Sequence, residues 1–94
     1  MNTDQTHRIS HRIAYRRIGE QMVIVDSTEA KLMTLNTTGT AIWERIGEKT
    51  LKQIAEDLTE LFEVDFDKAL EHTIEFLDTM KTRGFVETTH RGTD

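Results

Sequence analysis

His7 and His11 stand four residues apart, a spacing that on a helix turns two imidazoles to one side and offers a metal ion two of its ligands. They stand, however, in a polar stretch just before a strand, and no third ligand accompanies them. His72 and His90 occupy polar positions and read as solvated side chains. There is no cysteine, so neither a disulfide nor thiolate chemistry is open to the chain. No Ser/His/Asp arrangement, glycine-rich phosphate loop or pair of carboxylates set for acid–base work can be picked out. The expectation is therefore a protein without enzymatic activity, cofactor or metal. What is left is a surplus of carboxylates.

Those carboxylates are unevenly placed. Residues 1–50 carry seven Lys/Arg against six Asp/Glu, whereas residues 51–94 carry five against eleven. The acidic half is either an ordinary solvated helical surface or a surface suited to a basic partner. A net charge of −5 argues against a general nucleic-acid role, which rests largely on Lys and Arg neutralising phosphates. Nothing approaches the roughly 20 apolar residues of a membrane span. Met1–Ser10 holds no apolar run like that of a secretory signal. Together with the missing cysteine, this favours the cytoplasm, and no membrane partner is expected.

The 94 residues make one domain, and a hydrophobic share of 36% builds one modest core without a deep enclosed cavity. The first half reads as three short antiparallel strands. Ile13 and Tyr15 alternate with Ala14 and Arg16, and Gln21–Asp26 holds Met22, Val23, Ile24 and Val25. Gly19-Glu20 between them suits a two-residue II′ hairpin turn, because glycine tolerates the positive φ needed at its first central position. Asp26-Ser27-Thr28-Glu29 is a second turn signal, and a third strand follows over roughly Ala30–Leu35.

The second half changes to helical period. Asn36 can cap a helix holding Ala41, Ile42, Trp43 and Ile46, which Gly47 stops. Trp43 reads as a core anchor, given the large area an aromatic buries. Thr50 and Gln53 are spaced as a capping box ahead of a stripe of Leu51, Ile54, Ala55, Leu58, Leu61 and Phe62. The last helix starts near Asp65 or Asp67 and carries Phe66, Ala69, Leu70, Thr73, Ile74, Leu77 and Met80. Gly84 ends it, after which Phe85 and Val86 pack back onto the core. The flanks, residues 1–10 and 89–94, lack apolar periodicity and are expected to be loose tails around a domain at 11–88. The predicted fold is α+β, a three-stranded antiparallel sheet followed by three helices.

The run Leu35-Asn36-Thr37-Thr38-Gly39-Thr40-Ala41-Ile42-Trp43 resembles the signature of the PqqD family, in which an apolar strand ending in Leu-Asn leads to small residues and an Ile-Trp pair. Gly47, Thr50, Ile54-Ala55, Phe62 and the closing Gly84-Phe85-Val86 match the rest of that pattern. The likeness spans roughly Ile13–Glu87, and its specificity lies in the joint order and spacing of the motifs. It implies a winged-helix-like, non-catalytic recognition element for ribosomally made, post-translationally modified peptides. In that family the leader of a precursor peptide adds as a strand along the third strand, in a groove shared with the last helix. The domain then presents the precursor to a maturation enzyme, often a radical SAM enzyme.

On these residues, the guest adds antiparallel to the third strand at Lys31, Leu32, Met33 and Thr34. Alternation sends Met33 and Leu35 inward and Leu32 and Thr34 outward. The facing wall is expected from the first half of the last helix, at Asp67, Leu70, Glu71 and Ile74. Without the resemblance, an apolar strand beside an amphipathic helix is ordinary core. The alternative reading of the same fold is a winged-helix transcriptional regulator or a protein–protein adaptor. The DNA-binding form is disfavoured because Asp65, Asp67, Glu71, Glu75 and Asp78 outnumber Lys68, Lys81 and Arg83 on the helix that would meet phosphates. An exposed edge strand can also pair with its own copy, which admits a homodimer.

Overall fold

The computed structural model describes residues 4–89. The elements run β1 (Thr6–Ile9), β2 (Ile13–Ile18), β3 (Gln21–Asp26), β4 (Lys31–Leu35), α1 (Thr37–Arg45), α2 (Leu51–Phe62), α3 (Phe66–Thr82) and β5 (Val86–Thr89). The expected α+β order of three antiparallel strands and three helices is present as β2-β3-β4 followed by α1, α2 and α3.

Local chemistry accounts for most boundaries. Gly19 takes φ +64°, and Ile18 lies opposite Gln21, so Gly19 and Glu20 form the two-residue turn between β2 and β3. At the next turn Asp26 Oδ1 accepts the N–H groups of Thr28 and Glu29, and Asp26 pairs with Lys31 across the loop. Asn36 caps α1 by accepting the Gly39 N–H. Thr50 and Gln53 exchange side-chain bonds with each other's backbone N–H as a complete capping box on α2. Asp65 caps α3 by accepting the Lys68 N–H.

The core lies between the sheet and the helices. Ile13, Met22, Ile24 and Leu35 supply the sheet side, and Ile42, Trp43, Ile54, Leu58, Leu77 and Met80 the helical side. Trp43 is 1% exposed, and Tyr15 meets its ring edge-on with centroids 5.5 Å apart. Its Nε1–H finds no acceptor among the described residues.

The ends of the domain differ from expectation. Thr6–Ile9 is not a loose tail: it pairs antiparallel with β5, from Thr6↔Thr89 to Ile9↔Val86, in a separate two-stranded sheet. The cause is a pair of anchors at the inner end. Val86 is buried and Ile9 packs against the core, while at the outer end the Thr6 and Thr89 hydroxyls lie 2.6 Å apart. This pairing carries regular structure beyond the expected bounds of 11 and 88, to Thr6 on one side and Thr89 on the other. His7 goes inward with β1, only 2% exposed, whereas His11 is exposed in the turn before β2. The two imidazoles thus do not form a shared face. The expected tails at 1–3 and 90–94, and His90 with them, lie outside the described residues.

Candidate functional site

The sheet order β2-β3-β4 leaves β4 with a free edge, and hydrogen-bond parity tells which of its groups face outward. A two-residue hairpin closes on a mutually bonded pair, so Ile18, Arg16 and Ala14 direct their main-chain groups to β3. Two bonds agree with this assignment. The Ile13 N–H is spent outside the ladder, on Ser10 O at 3.1 Å. The Met22 N–H points the other way, to Thr40 Oγ1 at 2.9 Å. Met22, Ile24 and Asp26 therefore face β4, and their register partners Leu35, Met33 and Lys31 face back. The N–H and C=O groups of Leu32 and Thr34 are left pointing away from the sheet.

Side chains follow the same alternation. Leu35 is buried and Met33 half-buried on the core side, while Leu32, 70% exposed, and Thr34 stand on the outer face. Lys31 is exposed and pairs with Glu29. The opposite edge is less open. Ile13 has already used its N–H, and Arg17 crosses the hairpin end, donating to Gly19 O and pairing with Glu44.

Both ends of β4 are held. At the Leu35 end Thr40 Oγ1 accepts from Met22 and donates to Leu35 O at 3.4 Å, closing the ladder where the chain turns into α1. Beside it α1 and α3 approach so closely that a Cβ on Gly39 would meet Phe76 Cε1 at 3.0 Å and Leu35 Cβ at 3.5 Å. At the Lys31 end Arg12 bonds Asp26, the register partner of Lys31, and also Gly84 O, just past α3.

The links to α3 at the two ends of β4 are thus indirect, through Gly39 to Phe76 at one end and through Arg12 from Asp26 to Gly84 at the other. A depression of about 400 Å³ opens at the Leu35 end, with Asn36, Gly39 and Ile42 on one side and His72, Phe76 and Thr79 on the other. His72, Phe76 and Thr79, which line this depression, were not among the residues expected from the sequence. The signal present was Phe76 itself, a large aromatic just beside the main apolar stripe of α3.

The expected wall residues occupy the first half of α3. Leu70 and Ile74 are half-buried against the core, and Asp67 and Glu71 are exposed. Leu70 and Ile74 share a helical stripe with Lys81, whose ammonium donates to Thr88 of β5. The expected strand residues are contiguous on β4, and the four helix residues are contiguous on α3. Phe76, outside that group of four, shares with Leu35 the space around Gly39.

The helix surface is acidic but partly neutralised. Glu71 pairs with Lys68 and Asp78 with the half-buried Lys81, surface pairs worth about 0–1 kcal/mol. Asp67 and Glu75 have no cationic partner among the described residues. His7, behind Lys81, has its pKa lowered to about 4 by burial first and by the Lys81 charge second, against an opposing effect of Asp78. Neither of its ring nitrogens has a partner among the described residues. Among those residues, no group of three or more His, Cys, Asp or Glu is placed to hold a metal ion, and no helix is long and apolar enough to cross a membrane.

Residues 21–86 match the family described as coenzyme PQQ synthesis protein D, PqqD. The chain belongs to the PqqD family. The matched span runs from the start of β3 to the first residue of β5 and contains both β4 and α3. Two solved structures share the fold. One is described as TbiB1 in complex with the TbiA(beta) leader peptide, at TM-score 0.80 and 19% identity, covering 89% of this chain and 99% of that one. The other is a lasso peptide synthetase B1 complexed with the leader peptide, at TM-score 0.78 and 22% identity, covering 85% and 95%. No curated protein matches the chain.

Proposed function

We propose that this PqqD-family protein is a non-catalytic leader-peptide binder that takes the leader of a ribosomally made precursor as an added strand and presents it to a maturation enzyme. The observation that carries this reading is the edge of β4, where the main-chain groups of Leu32 and Thr34 face outward. A guest strand there gains affinity from main-chain hydrogen bonds and selectivity from where its alternate side chains fall. Support comes from the family match and from two proteins of the same fold whose structures hold leader peptides.

Lys31, Leu32, Met33 and Thr34 would line the guest on the strand side. For the wall we favour the second half of α3, at His72, Phe76 and Thr79, over Asp67, Leu70, Glu71 and Ile74. The enzyme we propose as partner is of the radical SAM class, working in the cytoplasm with neither nucleic acid nor membrane involved. The acidic surface of α3 favours a leader with basic residues.

The test is titration with the leader of the precursor encoded at this protein's own locus, followed by amide chemical shifts. Large shifts at Lys31–Leu35 and Phe76–Arg83 are expected. Shifts confined to Leu51–Phe62, with β4 silent, would place the guest elsewhere. A salt-sensitive gel shift with sequence preference on DNA from the locus would favour the regulator reading instead.

A further inference from the structure

Arg12, in the turn between β1 and β2, gathers groups from three parts of the fold. Its Nη1 donates to Gly84 O at 2.8 Å, and its Nη2 lies 3.4 Å from both Arg83 O and Asp26 Oδ2. The guanidinium also stands 6.0 Å from the centre of the Phe85 ring. Asp26 is 2% exposed, and its other oxygen shapes the turn into β4 by accepting from Thr28 and Glu29. Arg83 caps α3 at its C-terminus, where a cation is favoured by the helix dipole. One planar fork therefore joins the turn that starts β4 to the end of the helix that flanks it.

We infer that Arg12 is a positioning residue for the guest strand, one that sets the separation of α3 from the Lys31 end of β4. The inference rests on the proposed leader-binding function, because the cleft it sets is the one a leader would enter. Arg12 need not touch the guest. At the Leu35 end the spacing is fixed by the close approach of Phe76 to Gly39. At the Lys31 end, among the described residues, the polar link between sheet and helix runs through the Arg12 guanidinium. Lysine in its place would still answer the buried Asp26 charge, but a point donor cannot span a carboxylate and two carbonyls as the fork does.

The test uses Arg12→Lys, which keeps a cation beside Asp26, with Arg12→Gln as the harsher companion. In the free protein, residual dipolar couplings report how α3 is oriented on the β2-β3-β4 sheet. Arg12→Lys should change the couplings of the last turn of α3 and leave those of α2 alone. Unchanged couplings overturn the inference. Binding of the locus-encoded leader should weaken about tenfold, the equivalent of about 1.4 kcal/mol. An antiparallel guest lays its C-terminal end over Lys31, so trimming the paired segment from that end should abolish the difference between variant and wild type. Weakening that survives the trimming marks a general loss of stability and overturns the positioning role. Failure of wild type to bind the leader would instead sink the proposed function, and the couplings alone would then decide whether Arg12 holds the helix.

Discussion

His7 should make the protein acid-sensitive well above the pH at which its carboxylates protonate. Its folded pKa is about 4 against an ordinary 6.5, because the ring is buried beside Lys81 and neither nitrogen has a partner among the described residues. The sign follows from proton uptake. Above pH 6.5 both folded and unfolded states hold His7 neutral, and it contributes no pH dependence. Below that value the unfolded chain gains a proton that the folded protein refuses. Stability then falls by about 1.4 kcal/mol per pH unit until the folded pKa is reached, a total of about 3 kcal/mol. Against a typical domain stability of about 5–15 kcal/mol, that is a large share. His7→Phe removes the titration and leaves an apolar ring in the site. Urea denaturation of both proteins from pH 7.5 to 4 should show wild type losing ground steadily to the variant, with the gap widest near pH 4. Parallel curves for the two proteins, or a His7 imidazole resonance titrating near pH 6.5 in the folded state, would refute the reasoning.

Thr34→Pro removes an N–H that faces outward, not one in the β3 ladder. It should cost little in thermal midpoint while weakening leader binding about tenfold or more; equal binding by calorimetry would rule out this edge. Thr40→Val strips the bond to Met22 N–H and the one to Leu35 O inside the core, which should cost about 1–3 kcal/mol in urea denaturation, and an unchanged midpoint would discount that bridge. Asp57 has its pKa lowered chiefly by its hydrogen bond to Lys49, with Arg45 assisting against the opposing effect of burial. Asp57→Asn should therefore cost up to about 1 kcal/mol at neutral pH. The difference should fade as acid carries the solution down through the lowered pKa of Asp57, and a gap persisting in acid would contradict that origin.

What was legible in the sequence is what neighbouring residues decide among themselves. Gly19 announces its turn, Asn36, Thr50 and Asp65 announce their helices, and the alternation from Lys31 to Leu35 gives the inward and outward faces of β4. The pairing of β1 with β5 was not legible. Each strand is four residues long, too short for a periodic signal, and the partners are joined only by contacts across the whole domain. His7 accordingly looked like a tail residue, although it is buried. The lie of α3 against the sheet was hidden for a related reason. Helical spacing tells which residues share a stripe, but where the helix crosses the sheet depends on Gly39 admitting Phe76 and on Arg12 reaching Gly84, both contacts between distant segments.

The antiparallel pairing of Thr6–Ile9 with Val86–Thr89 also makes the domain portable. Thr6 and Thr89 face each other across one rung of a ladder, so their Cα atoms are about 5 Å apart. Polypeptide entering at one and leaving at the other does so through a single spot on the surface. A host protein could carry the domain in a surface loop without its own fold being pried open, because the two attachment points are as close as the ends of a tight turn. The same closeness would let a short linker join Thr89 to Thr6 while new ends are opened in the turn at Ser27–Ala30, giving a permuted chain that keeps β4 and its free edge.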